Sequence, residues 1–257
     1  MKKLLLLALA AGLAACGLKP SNELRIGMDL SYPPFEMRDA QGRPAGISVE
    51  MANALGEYLG RPVRIENIPF SGLIAALKGH RIDLILSSLT ATEERRQSIE
   101  FSDPYLNVGL ALLVSQKSGI RSAADLDQAD RTVVVRQGTT AQLWAAENLS
   151  KAKIVTLEKE NAAVLEVIQG KADAFIYDQI SVWNYWKQNP DTTAARLEPL
   201  QSESWAIGVR PRDQALRAQV NQFLKVYRER GGFEKLGDQF LGEQKRDFKE
   251  RGIPFYF

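Results

Sequence analysis

The sequence predicts an α/β protein in which mainly parallel sheets are flanked by helices. Short strand-like apolar runs alternate with helically spaced ones along most of the chain, the pattern of layered α/β units. One run, Ile82-Asp83-Leu84-Ile85-Leu86, is nearly continuously apolar, as in a strand buried on both faces. Polar segments follow three of the strands, where parallel sheets place their ligands.

Leu24–Met28 reads as the first strand, and Ser48–Leu59 as a helix with Val49, Ala52, Leu55 and Leu59 on one face. A strand over Val63–Ile68 precedes a helix over Gly72–Lys78, and the buried strand at 82–86 follows. The second half repeats the alternation. Strands at Thr132–Val135, Ile154–Leu157 and Ala174–Tyr177 lead to helices at Thr140–Asn148, Ala162–Gln169 and Ile180–Gln188. The mixed-charge stretch from Arg217 to Arg230 reads as a solvated helix with a core stripe. No close internal repeat appears.

The 257 residues suffice for one large or two modest domains, and 45% hydrophobic with 25% charged content fits a packed core. The 33 Lys and Arg exceed the 31 Asp and Glu by the two lysines at positions 2 and 3. Without them the chain is neutral, which excludes a charge-driven partnership with nucleic acid.

Those lysines open a secretory signal pattern. Met1-Lys2-Lys3 is followed by an apolar run from Leu4 to Leu13, too short for the ~20 residues of a membrane span. It closes on Leu13-Ala14-Ala15-Cys16-Gly17, which resembles the lipobox of bacterial lipoproteins. That resemblance implies removal of residues 1–15 and lipid on Cys16, with residues 16–23 as a tether. More than one acyl chain gives stable anchoring. Cys16 is the only cysteine, so no internal disulfide can form.

Three strand-to-helix segments hold candidate binding residues. Asp29-Leu30-Ser31-Tyr32-Pro33-Pro34-Phe35 joins a carboxylate to two aromatics in a loop stiffened by prolines. By itself it reads equally as a surface turn with Phe35 in the core. Ser87-Ser88-Leu89-Thr90-Ala91-Thr92-Glu93-Glu94-Arg95 is rich in donors. Thr92 fits an N-cap, and Arg95 is suited to a bidentate carboxylate grip. The plain alternative is a capped helix with a solvated arginine. Arg136-Gln137-Gly138-Thr139-Thr140 places a glycine and a helix start together, suited to an anion or to nothing more than a tight turn.

As an ordered set these segments carry more. Gly27-Met28-Asp29 with Tyr32-Pro33-Pro34-Phe35-Glu36, Phe70-Ser71-Gly72-Leu73-Ile74, the stretch from Asp83 to Arg95, Phe101-Ser102-Asp103-Pro104-Tyr105, Gln137-Gly138-Thr139-Thr140, and Ala172-Asp173-Ala174 running into Tyr177-Asp178 occur in family order. From about Leu24 to Gly242 the chain resembles the polar amino-acid solute-binding proteins of ABC transporters, the family 3 extracellular binding proteins.

The resemblance implies a two-lobed, type II periplasmic-binding-protein fold with a two-strand hinge. Residues 24–106 and 206–242 would form lobe 1, residues 110–201 lobe 2, and residues 243–257 a C-terminal tail. The hinge would lie at Tyr105–Gly109 and Ser202–Trp205, and the lobes would close on a ligand. Residue by residue, Arg95 would grip an α-carboxylate, with Ser88, Thr90, Thr140 and the amides at Thr139 and Thr140 assisting. Asp178 would accept from the α-ammonium. Tyr32 and Phe70 would sandwich the side chain, with Asp29 and Ser87 at its far end. A buried zwitterion needs such a partner for each charge.

Arg136 decides the far end. If it reaches into the cleft it offsets Asp29 and favours a neutral polar ligand such as glutamine. If it points outward, Asp29 favours arginine, lysine or histidine. The resemblance of Asp29, Tyr32 and Ser87-Ser88 to the basic-amino-acid binders places the basic ligands first and glutamine next. The expected protein is a monomeric, lipid-anchored periplasmic or cell-surface protein that hands a free amino acid to an ABC permease. It is expected to be no enzyme and to need no cofactor. The alternatives are a ligand-sensing module for a membrane receptor and a dehydratase-like enzyme on the same fold. His80, the single histidine, reads as a surface residue, and no zinc site is expected.

Overall fold

The computed structural model describes residues 22–253. The signal segment, Cys16 and the aromatic end at 254–257 lie outside the described residues.

The strands are β1 (Leu24–Met28), β2 (Met37–Arg38), β3 (Pro44–Ala45), β4 (Val63–Asn67), β5 (Leu84–Ile85), β6 (Glu100–Ser115), β7 (Thr132–Arg136), β8 (Lys153–Leu157), β9 (Ala174–Asp178) and β10 (Thr193–Val209). The helices are α1 (Ile47–Leu59), α2 (Leu73–Lys78), α3 (Glu93–Arg96), α4 (Thr140–Asn148), α5 (Glu160–Ile168), α6 (Gln179–Gln188), α7 (Gln214–Glu229) and α8 (Gly232–Glu250). Eight strands run in the order β4-β1-β5-β10-β6-β9-β7-β8, and β2 pairs with β3 as a separate ribbon. The expected α/β alternation is present, with most boundaries within two residues of those read from periodicity.

Two parallel groups lie at the ends of this order. β1 pairs in parallel with β4 and β5, and β7 pairs in parallel with β8 and β9. Between them run the long antiparallel strands β6 and β10. The 208–209 end of β10 pairs with β5 in the first lobe, while residues 110–114 of β6 pair with β9 in the second. The two-lobed type II arrangement thus follows from two strands that each belong to both lobes.

The central strands are apolar on both faces because both are covered. Along β9, Ala174 and Ile176 join one core cluster while Phe175 and Tyr177 join another. Along β6, Leu110, Leu112 and Val114 alternate in the same way with Ala111 and Leu113. This is the period of two read at a doubly buried strand. A third cluster, with Leu73, Leu77, Ile82 and Ile85, fixes α2 under the first lobe.

Two expectations shift. Residues 82–86 are all buried, yet only Leu84–Ile85 form ladder pairs. Leu86 N still donates to Gly27 O of β1 at 3.2 Å, and Ser88 then adopts a left-handed backbone, φ 49°, in the turn that follows. The charged stretch from Glu243, read as part of a tail outside both lobes, is helical to Glu250. Leu241, Gln244 and Phe248 form a buried stripe in that helix, hidden in the sequence among charges. Leu241 breaks the helical geometry, φ −128° and ψ 16°. Before it, Phe233 packs on Tyr227 of α7. After it, Asp247 accepts from Trp183 Nε1 at 2.5 Å, and Gln244 Nε2 donates to Ile180 O at 3.2 Å. So α8 reaches from α7 to α6.

Gln179 fastens the crossing strands. Its Oε1 accepts from Gly109 N at 2.9 Å and its Nε2 donates to Leu197 O at 2.6 Å. A Cβ on Gly109 would fall 2.6 Å from Pro199 Cβ and 2.9 Å from that Oε1. Gly109→Ala is therefore expected to lower unfolding stability by about 1–3 kcal/mol, the usual cost of overpacking. Urea denaturation checks this, and an unchanged midpoint would show that the crossing tolerates a methyl there.

Candidate functional site

The candidate site is a cavity between the lobes, at the carboxyl ends of the parallel strands. All eleven candidate side chains line it: Asp29, Tyr32, Phe70, Ser87, Ser88, Thr90, Arg95, Arg136, Thr139, Thr140 and Asp178. Sheet topology explains the convergence. Asp29 follows β1, Ser87 and Ser88 follow β5, Arg136 ends β7 and Asp178 ends β9, so each strand delivers its next residues to one rim.

At one end stands Arg95. Thr92 caps α3 by accepting from Arg95 N at 3.2 Å, which sets the first turn and aims the guanidinium inward. Arg95 donates from Nη1 to Thr90 O at 2.7 Å and from Nη2 to Gly138 O at 2.9 Å. The second bond crosses between lobes. Gly138 sits at φ +76°, a left-handed turn that brings its backbone close to Ser71. Thr140 and Ala141, at the start of α4, line the cavity beside it. A helix N-terminus and a guanidinium facing one space suit a carboxylate. The Thr139 hydroxyl turns back to donate to Arg136 O at 2.7 Å.

Asp178 is the N-cap of α6. Its Oδ1 accepts from Ile180 N at 3.0 Å and Ser181 N at 2.9 Å, and its Oδ2 accepts from Tyr32 Oη at 2.7 Å. Burial raises its pKa, and the tyrosine and amides work against that rise. The arrangement leaves a carboxylate facing the cavity, suited to an ammonium group. Tyr32 stacks on Phe35 at 5.5 Å between centroids and meets Trp205 edge-on at 5.9 Å. Phe70 instead has two guanidiniums near its ring, Arg95 at 5.6 Å and Arg136 at 5.5 Å from the centroid.

At the far end Arg136 reaches into the cleft. Its Nη2 meets Asp29 Oδ2 at 2.5 Å, its Nη1 donates to Tyr177 Oη at 3.0 Å, and its Nε donates to Glu158 O at 3.2 Å. The aspartate also accepts from Ser31 Oγ at 2.6 Å and Phe70 N at 2.9 Å. Its charge is therefore largely satisfied by the protein itself.

Sequence reasoning did not assign a role to Glu36, Glu203, Tyr177 or Trp205, which also line the cavity, nor to Glu160 behind it. Glu36 accepts from Ser48 at 2.6 Å, Ser87 at 3.2 Å and Ser88 at 3.3 Å. It therefore holds the two serines that end the buried strand, one of them in the left-handed region. Glu203 accepts from Thr90 Oγ1 at 2.8 Å. No local signal marks Glu203, because it lies more than a hundred residues from Thr90. Among the described residues, no group of three His, Cys, Asp or Glu could hold a metal ion.

Two carboxyl groups here are strongly perturbed. Burial pushes Glu36 up to about 8. Burial, followed by the nearby Asp178 charge, pushes Glu160 up to about 8, against the pull of Arg136. Both groups ionise near 4.5 when unfolded, so between about pH 4.5 and 8 the folded state holds the extra protons. Stability then falls as pH rises through that window. Glu160→Gln should flatten the fall in melting temperature between pH 5 and 8; an unchanged slope would remove Glu160 as a contributor.

The family model for bacterial extracellular solute-binding proteins, family 3, matches residues 24–243. A probable histidine-binding protein of Neisseria gonorrhoeae is 28% identical, over 95% of this chain and 97% of its own. An arginine-binding extracellular protein of Bacillus subtilis is 31% identical, over 95% of this chain and 100% of its own. The crystal structure of an ancestral amino acid-binding protein, described as a precursor of cyclohexadienyl dehydratase, superimposes with a TM-score of 0.79 at 33% identity. It covers 85% of this chain and 95% of that one. With its cleft built at the carboxyl ends of two parallel groups and residues 24–243 matched, this chain belongs to the bacterial extracellular solute-binding proteins, family 3.

Proposed function

We propose that the protein binds a free polar amino acid between its lobes and delivers it to an ABC importer. Arg95 and the start of α4 receive the α-carboxylate, and Asp178 receives the α-ammonium. Two or three charge-assisted hydrogen bonds at roughly 1.5–3 kcal/mol each contribute about 3–9 kcal/mol before ordering costs, so burial of the ligand's side chain must supply the rest of the roughly 8 kcal/mol of a micromolar complex. Lipid on Cys16, from the lipobox-like Leu13–Cys16, would hold the protein at a bacterial membrane. The similar proteins bearing amino-acid-binding names support a binding protein over an enzyme.

The observation that supports a choice of ligand side chain is the Arg136–Asp29 pair. With Asp29 neutralised, the far end offers polar groups without a free negative charge, which favours a neutral polar side chain such as glutamine's. A cationic side chain would have to displace a buried guanidinium at close range, at a cost in desolvation. The arginine- and histidine-binding names of two relatives support the second reading, a basic ligand.

Thermal shift with the twenty standard amino acids tests both. A ligand at 100 times its dissociation constant adds about 2.7 kcal/mol, so glutamine is expected to raise the melting temperature more than arginine or histidine. No shift with any of the twenty would end the amino-acid reading. Arg136→Leu frees Asp29 and should move the preference toward arginine by at least about tenfold, the equivalent of 1.4 kcal/mol. An unchanged ratio of affinities would mean Arg136 does not set the side-chain preference. Asp178→Asn keeps a good N-cap for α6 but removes the charge. It should weaken binding by about tenfold or more, read by calorimetry, with little change in the unliganded melt; retained affinity would place the ammonium elsewhere.

A further inference from the structure

Glu203 stands in an unusual place. It projects from β10, the strand shared by both lobes, and its side chain is buried within the cavity beside Thr90, Arg95 and Thr140. Its backbone neighbours fix it there. Ala91 N donates to Ser204 O at 3.0 Å, Ala206 N donates to Leu89 O at 3.0 Å, and Thr90 bridges to Trp205. Thr90 thus joins two opposite charges. Its carbonyl accepts from Arg95 at 2.7 Å, and its hydroxyl donates to Glu203 Oε2 at 2.8 Å.

A hydroxyl has one hydrogen to donate. While Glu203 is ionised, it holds the Thr90 hydrogen. An incoming carboxylate at Arg95 would then meet a hydroxyl already committed and a second anion in the same buried space. If Glu203 gains a proton, its own O–H donates to Thr90 Oγ1, and the Thr90 hydrogen turns to the ligand. The chain then runs from Glu203 O–H to Thr90 Oγ1–H to the carboxylate. One proton moves from solvent to Glu203, the hydrogen bond to Thr90 reverses direction, and no other covalent bond changes.

We propose that Glu203 is a specificity-determining residue that takes up a proton as the ligand's carboxylate docks on Arg95, coupling amino-acid affinity to pH through the Thr90 hydroxyl. This rests on the amino-acid reading given above. Burial already raises the Glu203 pKa, with the Thr140 and Thr90 hydroxyls and Arg95 opposing it and Asp178 adding to it. These are the charged and hydroxyl groups that face it from α3, α4, the end of β9 and the turn before α3. A ligand anion raises it further. Affinity therefore falls as pH rises from the free-state pKa to the bound-state pKa, by up to about tenfold per unit for one proton. Specificity follows too: a molecule with an uncharged amide in place of the carboxylate takes up no proton and gains nothing from acid pH.

Titration calorimetry tests this on the wild-type protein, with L-glutamine and L-arginine, and with the other standard amino acids if neither binds. Each titration is run between pH 5.5 and 8 in two buffers of different ionisation enthalpy. The expected result is net uptake of up to about one proton and affinity that declines with pH. Glu203→Gln places an amide donor on Thr90 without a titrating group. It should abolish the uptake and bind at least as tightly as wild type at pH 8. Binding without proton uptake anywhere in this range overturns the proposal, as does uptake that persists in Glu203→Gln. The wild-type measurement stands even if that variant fails to fold. If none of the twenty amino acids binds, the amino-acid reading itself fails, and this inference falls with it.

Discussion

The pairing of β6 with β10 is the constraint on which the rest of the structure depends. These strands, 16 and 17 residues long, are the shared members of both lobes. Their register shifts between Arg196 and Gln201 and again around Trp205 to Gly208. Irregularities of this kind bend and twist a ribbon, so one pair of strands can serve both parallel groups of the eight-stranded sheet. The parallel groups on either side then point their carboxyl ends into the gap. Loops that would be ordinary surface turns in a single-lobed protein become opposite walls of one cavity.

That placement forces charges together. Asp29, Glu36, Asp178 and Glu203 share the cavity with Arg95 and Arg136. Isolated buried charges are costly, and the cleft meets the cost in three ways. Arg136 and Asp29 neutralise each other across the lobes. Glu36 is held toward its protonated form, against the three serines that donate to it. Asp178 keeps helix amides and a tyrosine hydroxyl. One of the groups that carry these solutions, Glu36, was not assigned from sequence, although it accepts from Ser87 and Ser88, which were.

Much of the scaffold was legible because it obeys simple periods. Burial on both faces makes β9 apolar throughout, and a helical face marks α1 without ambiguity. Nine of the eleven cleft residues lie in the three polar segments at strand-to-helix junctions, while Phe70 and Asp178 were legible only through the family resemblance. What escaped was non-local. Whether Arg136 turns inward depends on Asp29, 107 residues away, and on Tyr177 beside it. Glu203 lies inside a long strand with the alternating look of any half-buried residue. The end of α8 was hidden by composition, since a buried stripe of Leu241, Gln244 and Phe248 is sparse among charged neighbours.

Closure and recognition draw on the same atoms. Arg95 bonds to Gly138 across the lobes, Tyr32 to Asp178, and Arg136 to Asp29. A ligand that binds through Arg95 and Asp178 must therefore share or replace contacts that already hold the lobes together. Its affinity is the difference between the bonds it forms and those it displaces. This argues for ligands that add partners without removing them. A zwitterion can share Asp178 with Tyr32, since a carboxylate accepts several donors. A guanidinium has five N–H donors, so a zwitterion can also meet Arg95 and the amides of α4 while the bond to Gly138 stays in place. A side chain that had to break the Arg136–Asp29 pair would oppose the closure that buries it. If the proposed function holds, the interlobe ion pair would select ligands by the state of the lobes as much as by direct contact.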